Sequence, residues 1–416
     1  MDGPVVRWLR LSLFNLLLVA LLGLIMRYKI VFPLAWVDQR NLLHAHSHFA
    51  FSGWITQALI SLLVGHLSDK GQAGAWQRYR ILLVANLVTA YGMLVTFPFL
   101  GYSFWPILFS TLSILVSYGF AVMYWRDLDR LAVKRVSHHW FKAAALFSVL
   151  SSLGAFYLAY MLATRNLHPN YYLASVYFFL HFQYNGWFFF ACMGLLADWL
   201  SRLGAPNREL QRVFWLFAAA CVPAYFLSAL WLPVARWLYL LIVLAVLVQL
   251  WGWWKMLVLL RGLNAMLRSS APVFGRRILL LSGIALSIKL LLQAGSVIPP
   301  LSRLAFGFRP IVIGYLHLVL LGVISLFILG YCFSRHYFEV NRKARAGMMV
   351  LAGGIVLNEL LLMVQGISDM NYTPVGYLNE ALLVVAGLLV LGIILLNLGQ
   401  FRTGYDPAHK MTAKSG

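Results

Sequence analysis

The chain has 416 residues, of which 62% are hydrophobic and only 11% are charged, and its mean hydropathy is +0.80. Soluble domains carry roughly 25% charged residues, so an ordinary soluble domain, a disordered chain and a disulfide-stapled secreted domain are excluded. The apolar residues come in long runs and do not alternate, which excludes a β-barrel and leaves a bundle of membrane-spanning helices.

Twelve apolar segments of membrane-spanning length follow one another along the chain, separated by short loops. We place these spans at residues 9–32, 42–66, 80–101, 104–125, 140–163, 172–199, 212–232, 236–260, 277–298, 310–333, 347–367 and 377–400. No soluble domain fits between them. The sequence therefore predicts an all-α, polytopic membrane bundle of about twelve transmembrane helices in a single domain, residues 1–416.

The net charge of +21 arises from 33 Lys and Arg against 12 Asp and Glu. Most basic residues fall in the N-terminus, the loops after even-numbered spans and the C-terminus. The positive-inside rule therefore predicts that both termini are cytoplasmic, in the cytoplasmic (inner) membrane if the protein is bacterial. Topology and attraction to anionic lipid account for the basic excess, so no nucleic-acid partner is predicted.

Span 2 opens with three histidines, His44, His46 and His48. His44 and His48 are four residues apart and share one helical face, whereas His46 points elsewhere. Ionisable groups at lipid depth are costly and normally face the bundle interior with a partner. His44 and His48 are therefore predicted to bind one ion together, or one to bind haem while the other hydrogen-bonds to a propionate.

Spans 6 and 10 add one histidine each, His181 and His317. Because even-numbered spans are predicted to run from outside to inside, a rise of about 1.5 Å per residue puts all these imidazoles at one depth in the outer half. Histidines from three spans in one layer predict a metal or haem site. The alternative is three unrelated, hydrogen-bonded core histidines. Tyr184 and Asn185, one turn beyond His181, are predicted to orient it.

Two further charged residues lie inside spans, Lys289 in span 9 and Glu359 in span 11. Both spans are predicted to run from inside to outside, and the two residues fall at similar depths. They are therefore predicted either to pair with each other or to belong to a proton path, on which Tyr184 and Tyr315 would also lie.

Twelve spans with histidines on the second, sixth and tenth resemble the catalytic subunit of the haem-copper oxidases, including the C-type oxidases and the nitric oxide reductases. The stretch at 40–44, Arg-Asn-Leu-Leu-His, is similar to the family's Arg-x-Leu-His on helix two, with one extra residue. The stretch at 315–318, Tyr-Leu-His-Leu, is similar to its His-x-His-Leu on helix ten. The resemblance implies a low-spin haem between His317 and His44 or His48, on adjacent helices, and a copper-ligand position at His181.

The sequence departs from that family at the second metal centre. Tyr315 stands where the high-spin haem ligand should be, and span 7 lacks the histidine pair that would complete a copper site. We therefore expect a degenerate binuclear centre without oxidase-type copper, in which His181 hydrogen-bonds within the core or lines a cavity beside Tyr184. The NnrS family, twelve-span haem proteins of nitric oxide metabolism, is a second resemblance.

The resemblance implies a non-covalently bound haem, of b type, that serves electron transfer or the chemistry of a small gas such as oxygen or nitric oxide. Whether the chain is an oxidoreductase is left open. The expected partners are the lipid bilayer, an electron-donor or accessory subunit and a small gas ligand. An alternative from another class is a proton-coupled divalent metal ion transporter that uses the histidines of spans 2, 6 and 10. A third is a relative that inserts cofactors without turnover.

Overall fold

The computed structural model describes residues 3–401 except 73, 233, 300 and 302–307, and within that range every long element is a helix. The principal helices are α1 Pro4–Val31, α2 Gln39–Asp69, α3 Ala75–Leu100, α4 Phe104–Arg130, α5 Val136–Ala163, α6 at 169–202, α7 Asn207–Cys221, α8 Arg236–Gly262, α9 Val273–Ser296, α10 Arg309–Ser334, α11 Arg342–Met370 and α12 Leu378–Gln400. A 3₁₀ turn, Pro223–Ala229, follows α7, and a short helix, Asn264–Ser270, precedes α9. The all-α fold class is confirmed.

Ten of these helices, all except α6 and α7, are long and apolar enough to cross a bilayer. Helix α7 is long enough to cross a bilayer only together with the 3₁₀ turn that follows it, and the two are bent by 43° relative to each other. Helix α6 is less apolar because His181, Gln183 and Asn185 lie in its middle. The chain is thus an integral multi-pass membrane protein, while the count of about twelve spans and the membrane side of the termini stay predictions.

Local sequence explains where the histidine-bearing helices begin. Pro169 and Pro310 occupy the first turns of α6 and α10, where a missing N–H costs nothing. Asp38 caps α2 by accepting hydrogen bonds from the backbone N–H groups of Arg40 and Asn41. The bond from Asn41 is the main reason that the pKa of the Asp38 carboxyl lies below its usual value.

Helices α2, α6 and α10, each four helices apart in the sequence, form the centre of the bundle. Consecutive helices pack on one another and α12 packs on α1, which closes a ring around the centre. Helix α2 is the most enclosed of the ten candidate spans, because 89% of its apolar central stretch is buried in the protein. Three contacts show that the central helices run parallel in one register: Trp54 to Ser325, Trp187 to Thr56, and Trp199 to Tyr331.

Each central helix contains one π-helical segment just after its histidines: Ala50–Thr56 in α2, Phe182–Phe188 in α6 and Leu318–Ser325 in α10. The three segments meet, because the indole of Trp54 donates to Ser325 Oγ at 2.8 Å and that of Trp187 donates to Thr56 Oγ1 at 3.3 Å. π-Helices are rare and occur preferentially at functional sites. The π-helical segments therefore mark the layer just beyond the histidines as a candidate functional region.

The far ends of α2 and α6 are fixed to each other by the buried carboxylate of Asp198. It accepts from Arg202 at 2.8 Å and lies 3.3 Å from Lys70 Nζ and 3.7 Å from His66 Nδ1. We call this the Asp198 end of the bundle, and the opposite end, where α2, α6 and α10 begin, the histidine end. The start of α1 lies at the Asp198 end, since Val5 lies against Gly65 near the end of α2.

Candidate cofactor site at the histidine end

His46 of α2 faces α1 and keeps one ring nitrogen free. Its Nδ1 lies 3.0 Å from the carbonyl oxygen of Val19. A carbonyl can only accept, so Nδ1 carries the proton and Nε2 presents its lone pair. The ring also lies over Gly23, where a Cβ atom would come within 3.4 Å of His46 Cε1. Helix α1 therefore lies close enough to the imidazole for a Cβ at this position to be in van der Waals contact with it.

His317 of α10 has the same bonding pattern. Its Nδ1 donates to the backbone oxygen of Ile313 at 2.8 Å, which leaves Nε2 free. The two imidazoles, His46 and His317, are within electrostatic reach of each other, and the guanidinium of Arg27 acts on His317. A ring N–H given to a carbonyl, with the other nitrogen free, is the arrangement typical of histidines that bind metal.

The surroundings of this pair are open compared with the core beside them. No residue of Arg309–His317 is fully buried, whereas most of Leu318–Ser325 and all of Leu326–Ser334 are. Both His46 and His317 are half-buried. Both histidines are thus less enclosed than the helical segments that follow them, although they lie within long apolar helices.

His44 and His48 lie on the other face of α2, against the end of α3. The His48 ring stacks on Phe97 with centroids 4.7 Å apart, and His44 meets Tyr102 edge-on at 4.5 Å. Burial raises the pKa of Tyr102 to about 12, so its hydroxyl stays protonated and can donate to His48 Nε2 at 3.4 Å. The α2 histidine within electrostatic reach of His317 is His46, while His44 and His48 face α3. Haem ligation by His317 with His44 or His48 stays a prediction.

His181 of α6 is enclosed, with 1% of its surface exposed, and both of its nitrogens are occupied. Nδ1 accepts from the amide of Asn185 at 3.2 Å, so Nε2 carries the proton and donates to the Cys221 carbonyl at 2.9 Å. Tyr184 lies beside it, with ring centroids 6.5 Å apart. Asn185 is thus the residue that orients His181, and neither nitrogen is free to bind a metal ion in this conformation.

Tyr315 contacts α6, since its ring centroid lies 6.4 Å from that of Tyr184. It precedes His317 by two residues, which is about 200° around an α-helix, so the two side chains leave α10 in opposite directions. Helix α10 therefore separates two environments, the open His46–His317 pair on one side and the closed region around His181 on the other.

Lys289 and Glu359 are not brought together. Lys289, 5% exposed, lines a cavity with room for about one water molecule, together with Asn185, Cys221 and Gln249. Glu359 accepts from Asn358 at 3.2 Å on α11. No ion pair joins the two residues among those the structure describes, and a proton path through them stays a prediction.

Comparison with known proteins adds no identity. No family model matches the chain, and no curated protein matches it. Across the described ranges, no three His, Cys, Asp or Glu side chains converge as ligands of a metal ion. What the fold defines is an all-α multi-pass membrane protein. Its central helices carry several histidines at one end, and His46 and His317 are the two that each donate Nδ1–H to a backbone carbonyl.

Proposed function

We propose that this chain is a haem-binding membrane protein in which His46 and His317 hold one haem non-covalently, for electron transfer or for the chemistry of a small gas. The observation that carries the proposal is the bonding of the two rings. Each donates Nδ1–H to a backbone carbonyl, and each keeps Nε2 free on neighbouring parallel helices. Bound haem supplies one-electron redox chemistry there.

The rest of the site supports ligand binding at this position. The hydrogen bonds from His46 to Val19 and from His317 to Ile313 fix the orientation of both rings. They also make each unprotonated Nε2 more basic and so a stronger electron-pair donor to a metal ion. Gly23 places α1 against the edge of the His46 ring. The π-helical segments beyond the histidines are tightly buried, so water is excluded from one side of the pair. These features support the proposal that two protein ligands hold the haem.

If His46 and His317 both ligated the iron, no position would be left for oxygen, so electron transfer is the favoured role. The metal-ion transporter has less support, because His181 has both nitrogens engaged and does not join His46 and His317. An oxidase-type copper at His181 is not part of the proposal for the same reason.

The test is an optical spectrum of the purified full-length chain, oxidised and then reduced. We expect a Soret band with sharp α and β bands on reduction, little oxygen uptake, and loss of these bands in His317→Ala. A colourless wild-type protein would refute haem binding. A His317→Ala variant with unchanged haem content would refute the ligand assignment, and rapid oxygen uptake would refute the closed iron site.

A further inference from the structure

One face of α1 runs past the proposed site and ends on a charge. Val19, Gly23 and Arg27 are four residues apart in succession and therefore share that face. Val19 accepts the hydrogen bond of His46, and Gly23 lies against the same ring. The next position on this stripe is Arg27, one helical turn nearer the histidine end, and its charge acts on His317.

Arg27 has no counter-charge among the residues that the structure describes. It is half-buried inside an apolar helix, and within the described part of the chain its guanidinium makes no ion pair and no hydrogen bond. Asp38, the acid at this end of α1 and α2, interacts with Arg40 and Lys29 instead. A charged group at such a position is costly unless an anion pairs with it. Among the described residues no acid pairs with Arg27, which leaves its charge for an anion from outside the chain.

We propose that Arg27 binds a carboxylate of the tetrapyrrole held by His46 and His317, so that the propionate edge of the haem faces the histidine end of the bundle. This inference rests on the proposed function. A planar guanidinium matches a carboxylate with two parallel hydrogen bonds, and such charge-assisted bonds are among the strongest in proteins. Arg27 is then a binding residue that selects tetrapyrroles with free acid groups and sets their orientation.

The experiment titrates haem-free, full-length protein with two cofactors, iron protoporphyrin IX and its dimethyl ester, which has the same ring and iron but no carboxylates. Wild type, Arg27→Gln and Arg27→Lys are compared, with Arg236→Gln as the matched control. Arg236 is an exposed arginine at the start of α8. It lies at the histidine end, since the hydroxyl of the nearby Tyr239 donates to the backbone oxygen of Val297, just after α9.

We expect Arg27→Gln to weaken binding of the free-acid haem by about tenfold, to leave binding of the ester unchanged, and Arg27→Lys to lie between. Wild type should prefer the free acid over the ester by a similar factor, a comparison that needs no variant. Equal affinity of wild type for both cofactors, or an equal loss with both in Arg27→Gln, would overturn the assignment of Arg27. If wild type binds neither cofactor, the haem proposal itself fails.

Discussion

The histidines of α6 and of the α2–α10 pair lie in the same layer and precede the same kind of π-helical segment, yet their chemistry differs. His181 has both ring nitrogens bonded, to Asn185 and to the Cys221 carbonyl, and is almost fully buried. His46 and His317 each have one bonded nitrogen and one free, and both are half-buried. The difference lies in the second ring nitrogen, which has a protein partner in His181 and none among the described residues in His46 and His317.

The largest effect should come from separating the two faces of α2. Removing a hydrogen-bond partner of a metal ligand typically weakens metal binding about tenfold or more. His46→Ala removes a proposed ligand itself, so we expect a loss of haem affinity larger than about tenfold. His44→Ala, its matched control two residues away, should keep more than about half of the haem, because His44 lies against Tyr102. Haem is measured per purified protein by the pyridine haemochrome method. The reverse order would restore His44 as the ligand.

Removal of His181 should lower the stability of the protein and leave its haem content unchanged. His181→Ala leaves the amide of Asn185 and the carbonyl of Cys221 buried without partners, so we expect a loss of about 2–4 kcal/mol in unfolding free energy. Haem per folded molecule should stay unchanged. Denaturation of detergent-solubilised protein checks this, with the exposed His168→Ala as control. Haem loss at full stability would mean that His181 is a ligand.

The space over His46 can be filled from α1. A Cβ at Gly23 would lie 3.4 Å from His46 Cε1, which is ordinary contact, so Gly23→Ala should be tolerated. Gly23→Val adds two methyl groups against the ring, and we expect it to cost about 1–3 kcal/mol of haem affinity through overpacking. Gly353→Val on α11, where nothing lies within 4 Å, is the control. An equal change of haem affinity in Gly23→Val and Gly353→Val would show that contact between α1 and His46 does not matter for haem binding.

Substitution of Lys289 tests whether the buried region around His181 depends on the positive charge of this lysine. A buried ammonium without an acidic partner is replaced at little cost by an apolar chain of similar shape, so Lys289→Met should change stability by less than about 1 kcal/mol or increase it. Thermal unfolding and haem content are the measurements. A large loss of haem in this variant would connect Lys289 to the site on the other side of α10.

The smallest effect concerns pH. Because the pKa of Tyr102 is about 12 in the folded protein and about 10 in the unfolded chain, the folded state holds this proton more tightly. Its contribution to stability is constant below about pH 10 and falls as the pH rises towards about 12. Tyr102→Phe should remove that decline and leave the haem spectrum unchanged. A spectral change in Tyr102→Phe would place His48 close to the iron.

Much of the fold follows from the sequence alone. Long apolar runs force helices, since lipid offers no partners to the backbone, and the ends of the helices follow from local signals such as Asp38 and Pro310. The depth of a histidine follows in the same way from counting residues along its helix. These properties are local, so no knowledge of neighbouring helices is needed to predict them.

Only the tertiary structure decided which histidine of α2 lies towards α10. His44 and His46 differ by about 200° around α2, and which of these faces meets α10 depends on how the whole ring of helices closes. The partner that occupies His181 is a carbonyl on α7, and Lys289 and Glu359 fall into different surroundings although their depths are similar. Hydropathy specifies position along the membrane normal, but rotation of a helix about its axis is fixed by packing against its neighbours.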